Sequence, residues 1–134
     1  MKNSILILSL LLIMGITLLT SCGKDDDNNN DAKDSRNVRY ELTGTARGNF
    51  DITLISGDGS GTIEKPTTLP WTKEIVAAAG TQAVGFTAAV VGATPGTTIT
   101  ARIFVGGVEK KVSQPATVQS DGIAIIGGFN YVLK

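Results

Sequence analysis

Thr98-Ile99-Thr100-Ala101-Arg102-Ile103-Phe104-Val105-Gly106-Gly107-Val108-Glu109-Lys110-Lys111-Val112 holds the repeating unit of the fold. Ile99, Ala101, Ile103 and Val105 alternate with Thr98, Thr100, Arg102 and Phe104. A period of two puts one set on a core and the other toward water, as a half-buried strand requires. Gly106-Gly107 suits a two-residue primed hairpin, whose central residues need positive φ. Val108, Lys110 and Val112 form a short returning strand, and its lysine marks a sheet edge.

The same alternation spreads outward. Val38, Tyr40 and Leu42 share a face against Arg39 and Glu41. Phe50, Ile52 and Leu54 repeat it against Asp51 and Thr53. Val84, Phe86, Ala88 and Val90 line another strand. Ile63 centres a short one, and Trp71 to Val76 reads as the next, after Pro66 and Pro70 force an extended or edge segment. Ala93-Thr94-Pro95-Gly96 is a turn with Pro and Gly where a type I or II turn wants them. Beyond Pro115, Ala116 to Ser120 adds a strand. Gly122 to Leu133 adds the last, with Gly127-Gly128 as a bulge. Seven to nine short strands with frequent turns predict an all-β domain over 38–134. The expected form is a small antiparallel β-sandwich of Ig-like type, with a small closed barrel as the competing closure.

The N-terminal part has a different composition. Lys2 precedes an apolar run from Ile5 to Leu19, followed by Thr20-Ser21-Cys22-Gly23. Basic start, apolar core and small-residue junction are the order of a signal peptide. With the chain's single cysteine at the junction, the segment resembles a bacterial lipobox. Residues 1–21 are therefore expected to be a lipoprotein signal peptide, with Cys22 carrying the lipid. A permanent transmembrane helix is the alternative, although about 15 apolar residues are short for a span of about 20. Residues 22–37 hold five aspartates, four asparagines and no large apolar side chain. Such a segment cannot bury enough surface to offset its ordering entropy, so it is expected to be a disordered tether. Lys24-Asp25-Asp26 resembles the export signal that carries lipoproteins of one Gram-negative phylum to the outer face of the outer membrane. A plain solvated spacer is the alternative. The expected location is the cell envelope, lipid-anchored to the outer membrane, with surface display and a periplasm-facing domain as the two alternatives.

Composition excludes more than it assigns. The chain has 134 residues, 12 basic and 12 acidic, with no histidine. No basic face is visible for a nucleic-acid partner. Absence of histidine removes the commonest general base and transition-metal ligand, and with it Ser-His-Asp and Cys-His chemistry. One thiol leaves no disulfide and no zinc cluster. No cofactor and no metal is expected.

Three blocks resemble a known family. Val38-Arg39-Tyr40-Glu41-Leu42-Thr43-Gly44 looks like the opening strand of the mycobacterial membrane protein small (MmpS) family. Leu69-Pro70-Trp71-Thr72-Lys73 is similar to its Leu-Pro-Trp segment, and Ile99 to Gly107 to its late strand and hairpin. The resemblance implies an Ig-like sandwich outside the inner membrane, tied to it by one N-terminal helix. It also implies an accessory role beside an RND-type exporter of lipids or siderophores. Three departures stand out: a lipid anchor in place of the helix, Ala101 where a cysteine of the family's disulfide is expected, and Gly106 where an aspartate usually precedes the hairpin glycine.

Other candidates have plainer readings. Trp71 could stack on a sugar or partner, but a sandwich core uses tryptophan in the same way. Phe104 and Tyr131 would join it in a glycan- or protein-binding surface, if exposed. Gly57-Asp58-Gly59-Ser60-Gly61 lacks the Gly-Lys-Ser/Thr ending of a phosphate loop and reads as a hairpin loop. Asp51 and Asp58 are too few for a calcium site. Glu41, Asp51, Asp58, Glu64, Glu74, Glu109 and Asp121 include no pair that a motif sets across a cleft for glycoside chemistry. Lys110-Lys111 reads as a solvated edge. The chain is thus expected to be a non-enzymatic envelope lipoprotein acting as an accessory or interaction module. Its expected partners are the membrane, through Cys22, and an RND-type transporter or another envelope protein.

Overall fold

A computed structural model describes residues 34–56 and 60–134. The signal peptide, Cys22, Lys24, Asp25, Asp26 and the loop residues Gly57, Asp58 and Gly59 lie outside the described residues.

Nine strands follow one another with no helix among the described residues: β1 Asn37–Gly44, β2 Asn49–Ser56, β3 Gly61–Glu64, β4 Trp71–Val76, β5 Ala83–Val91, β6 Thr98–Val105, β7 Val108–Val112, β8 Ala116–Thr117 and β9 Ala124–Val132. They form two antiparallel sheets. One runs β4-β1-β6-β7, with β8 also on β6; the other runs β3-β2-β5-β9. Because β3 does not pair with β4, nor β7 with β9, the sheets stay separate. The domain is a sandwich and not a barrel.

The alternation read from the sequence decides which side chains enter. Val38, Tyr40 and Leu42 of β1, Ile99, Ala101, Ile103 and Val105 of β6, and Phe50, Ile52 and Leu54 of β2 are all buried. Phe86 of β5 sits at the centre. Tyr40 lies 5.5 Å from its ring centroid and Phe129 5.7 Å, both edge-on, and Trp71 lies 6.3 Å away. Edge-to-face geometry sets positive ring edges on negative faces, so these contacts add to what area burial supplies.

The turns follow their residues. Thr97 N–H donates to Thr94 O at 3.2 Å, with Pro95 second and Gly96 third at φ +85°, as a type II turn requires. Gly106 and Gly107 have φ of +60° and +82°, matching the primed hairpin between β6 and β7. Ala88 pairs with Ile126 and Phe86 with Phe129, so Gly127 and Gly128 oppose the single Thr87 and form the bulge.

Two expectations need correction. Ile103 pairs with Lys111 and Phe104 with Glu109, so Lys110 is an extra residue in β7 and the even alternation there is broken. The domain also begins before residue 38. Asn37 opens β1, and Asp34 and Arg36, read as part of the tether, are bonded into the fold.

Strand direction gives the sandwich two distinct ends. β1 starts, and β4, β6 and β9 finish, at one end; residues 34–36, the loop 77–82, the Gly106-Gly107 hairpin and residues 133–134 gather there. The loops 45–48, 65–70, 92–97 and 113–123 belong to the opposite end.

Candidate functional site

The residues that the sequence points to most directly, Cys22, Lys24, Asp25 and Asp26, precede the described domain. The domain's own candidates are therefore judged by where the strands hold them.

None of the three candidate aromatics presents a free ring. Trp71 is half-buried in β4, against Phe86. Phe104 points outward from β6, but the Arg39 guanidinium lies 4.0 Å above its centroid. Tyr131 is half-buried, and its hydroxyl donates to Asp34 Oδ2 at 2.9 Å. A shallow open cleft of about 500 Å³, lined by Asn37, Val38, Arg39, Glu74, Ile75, Val76 and Gly107, contains none of them.

The acids are mostly committed to ion pairs. On the outer face of the first sheet, Arg102 reaches Glu41 at 2.9 Å and Glu109 at 3.4 Å. Lys65 holds Asp51 at 2.9 Å, and Lys73 holds Glu64 at 2.8 Å. The last pair ties the edge strand β4 of one sheet to the edge strand β3 of the other. Asp121 accepts the Ile123 N–H at 3.0 Å, within a turn. Among the described residues no three acids gather as metal ligands would.

A clasp at the chain's entry into the domain was not visible in the sequence. Asp34 and Lys134 exchange bonds. Asp34 N–H donates to the Lys134 carbonyl at 3.0 Å, and Lys134 N–H donates to Asp34 Oδ2 at 3.0 Å. The Tyr131 hydroxyl shares that oxygen, and Lys110 Nζ lies 3.2 Å from Oδ1. Only 7% of the Asp34 side chain is exposed. The Lys134 amide does most to hold this carboxyl below the usual carboxylate range; desolvation opposes it, while Tyr131 and Lys110 assist. Asp34 in turn raises the pKa of Lys110.

Arg36 fastens the same segment to the loop after β4. Its guanidinium donates to the carbonyls of Ala77 at 3.3 Å, Thr81 at 3.0 Å and Ala78, and Ala77 N–H donates back to Arg36 O at 2.8 Å. A planar fork suits several fixed carbonyls at once. The bulge explains the lysines: Lys110 turns to Asp34, while Lys111 donates to the Asn130 carbonyl at 2.7 Å. They are not a merely solvated edge, because they close the flank between β7 and β9.

The departures noted in the sequence have structural counterparts. Ala101 is fully buried, and its N–H donates to Ser113 Oγ at 3.0 Å. At Gly106, a Cβ would lie 2.8 Å from the Cβ of Ser35. The clasped segment crosses over the hairpin there and leaves room only for glycine.

No curated protein matches the chain. The model of a family described as Mycobacterium membrane protein matches residues 4–121, spanning the apolar N-terminal segment and most of the sandwich. With its Leu-Pro-Trp strand start, late glycine hairpin and two-sheet sandwich all in place, the chain belongs to this family of MmpS-like, membrane-associated envelope proteins.

Proposed function

We propose that this protein is a lipid-anchored, non-enzymatic accessory module of the bacterial cell envelope. The observation that carries the reading is Cys22 itself. It is the chain's single cysteine, set between an apolar leader and a strongly polar segment. Acyl chains on that sulfur would hold the domain at a membrane, since each buried methylene contributes about 0.8 kcal/mol and two chains suffice for stable anchoring. Commitment of Glu41, Asp51, Glu64 and Glu109 to ion pairs supports the non-enzymatic part, because a catalytic acid needs a free face toward substrate. Lys24-Asp25-Asp26 favours the outer membrane, with the domain facing outward.

The test is Cys22→Ala. The variant should lose palmitate labelling and move to the soluble fraction. If it stays in the membrane, uncleaved, the apolar segment is a spanning helix and lipid anchoring is wrong. Protease shaving of intact cells tests the leaflet: an outward-facing domain is trimmed from whole cells, and a periplasmic one survives.

Family membership favours a second reading, that of an accessory subunit of an RND-type lipid or siderophore exporter. Cross-linking followed by pull-down should then recover a pump. Recovery of other envelope proteins without a pump would count against it. A glycan-binding surface is less favoured, because Trp71, Phe104 and Tyr131 are each engaged within the domain.

A further inference from the structure

The two ends of the sandwich differ in chemistry. At the end where Asp34 enters, the connection after β4 runs Val76-Ala77-Ala78-Ala79-Gly80, and Ala78, Ala79 and Gly80 are exposed at its tip. Val76 is 75% exposed, Val132 67% and Val108 59%, and all three flank this end on β4, β9 and β7. Loops are ordinarily polar because their backbone meets water, so a tip of alanines beside bare valines is unusual. The loops of the opposite end are more polar, exposing Thr45, Arg47, Thr94, Gln119, Ser120 and Asp121, with Val91 and Ile125 exposed beside them; at the entry end the exposed polar residues include Ser35, Asn37 and Gln82.

The two charged residues of the entry segment are spent within the domain, while Lys110 and Lys134 stay exposed beside them. Arg36 spends its donors on the carbonyls of Ala77, Ala78 and Thr81, and Asp34 is covered by Tyr131, Lys110 and Lys134. The chain that leaves here is short. Cys22 precedes Asp34 by twelve positions, which at full extension span about 40 Å. Because the link joins the domain at this end, an anchored Cys22 holds this end closer to the bilayer than the polar end, which lies a strand length of about 27 Å further on.

We propose that the apolar entry end, with Ala78, Ala79 and Gly80 at its tip and Val76, Val108 and Val132 around it, rests on the lipid bilayer surface. This rests on Cys22 anchoring. The clasp then has a further consequence: it fixes the point where the tether leaves the domain, and so favours this end as the one that faces lipid. The polar end and the charged outer face around Arg102 remain available to other partners. Exposed apolar patches of this kind mark membrane or protein contacts, and attachment of the anchor's link at this end favours the membrane.

The test uses the full acylated chain in vesicles of phosphatidylethanolamine and phosphatidylglycerol. A second cysteine is introduced for an environment-sensitive fluorophore, because the thiol of Cys22 is blocked by its lipid. Ala79→Cys labels the entry end and Thr94→Cys the opposite end. The Ala79 probe should shift to the blue and be quenched several-fold more by nitroxide-labelled lipids than the Thr94 probe. Adding Val76→Glu and Ala78→Glu should remove the difference while leaving the melting temperature and flotation unchanged. Equal quenching at both sites, with the vesicles still carrying the protein, overturns the membrane contact and leaves the anchor intact. A blue shift at Ala79 without lipid quenching places protein there and also overturns it. Failure to float with the vesicles removes the anchor, and the contact with it.

Discussion

Tyr131 and Asp34, 97 positions apart in the chain, are joined by a 2.9 Å hydrogen bond from phenol to carboxylate. The bond closes the domain onto its own entry segment. Together with Lys110 and the Lys134 amide, it gives a nearly buried carboxylate three donors. Pairing and hydrogen bonding of this kind offset much of what the group loses on leaving water.

Asp34→Ala should destabilise the domain by about 2 kcal/mol at neutral pH, the scale of charge-assisted bonds lost with one acceptor. The pH dependence follows from the sign of the shift. The folded pKa lies below the ordinary 3.8, so the contribution is fully present above that value. It is lost as pH falls through the lower, folded value. Urea unfolding of the native chain should therefore weaken toward about pH 2, and the variant should show a shallower fall. Parallel acid profiles would mean that Asp34 is not the group responsible.

Gly106→Asp restores the residue expected from the family at this position. Aspartate tolerates φ of +60° better than most residues, so backbone strain alone is modest. The obstacle is Ser35, 2.8 Å from the new Cβ. The expected outcome is a folded sandwich with the clasp displaced, read as faster amide exchange at Asp34 and Lys134. Restored protection in a double variant with Ser35→Gly would identify the contact. Unchanged exchange in the single variant would show that the segment yields without cost.

Much of the sandwich was legible because burial on one face imposes a period of two. Val38-Tyr40-Leu42, Phe50-Ile52-Leu54 and Ile99 to Val105 each point inward as read. Gly106-Gly107 and Gly127-Gly128 were legible because turns and bulges need special backbone angles. Strand order was not, since nothing local in Trp71 to Val76 says that it pairs with β1 and not β3. The clasp was hidden for a related reason. Asp34 and Arg36 sit in a polar run with no periodicity, and their partners lie 76 to 100 and 41 to 45 positions away. The facing of Lys110 was hidden because a bulge changes the side to which every residue around it points.

Phe86→Ala removes the ring on which Tyr40, Trp71 and Phe129 all pack. A fully buried phenylalanine truncated to alanine costs about 4 kcal/mol, and the whole domain is expected to have only about 5–10 kcal/mol. The variant should retain only about 1–6 kcal/mol and unfold at a correspondingly lower urea concentration. Phe86→Leu keeps most of the volume and should cost about 1–2 kcal/mol. Trp71 emission during urea titration follows both variants, because the indole lies 6.3 Å from the Phe86 ring. Native-like stability of the alanine variant would show that Phe86 is not the centre of the core.

Tyr40→Phe separates the aromatic ring from its hydroxyl. The side chain is fully buried, and the hydroxyl has no hydrogen-bond partner among the described residues. Burial pushes its pKa up to about 12, although the nearby Gly85 backbone acts in the opposite direction. That backbone is close enough to favour the ionised form but does not meet hydrogen-bond geometry, which leaves the hydroxyl unpaired. An unpaired buried hydroxyl costs about 1–3 kcal/mol, so its removal should leave stability at neutral pH unchanged or raised. The alkaline side has a definite sign. With the folded pKa above the unfolded value of 10.0, stability is intact below that pH and is lost as pH rises toward about 12. The full loss approaches 3 kcal/mol, at about 1.4 kcal/mol per unit. A phenylalanine side chain has nothing to ionise, so the variant should lose about 2 kcal/mol less between about pH 10 and pH 12, with Lys110 and Tyr131 titrating in both proteins. Guanidinium midpoints across that range measure the difference. A variant destabilised by more than about 1 kcal/mol at neutral pH would mean that the hydroxyl makes a bond to the Gly85 backbone after all.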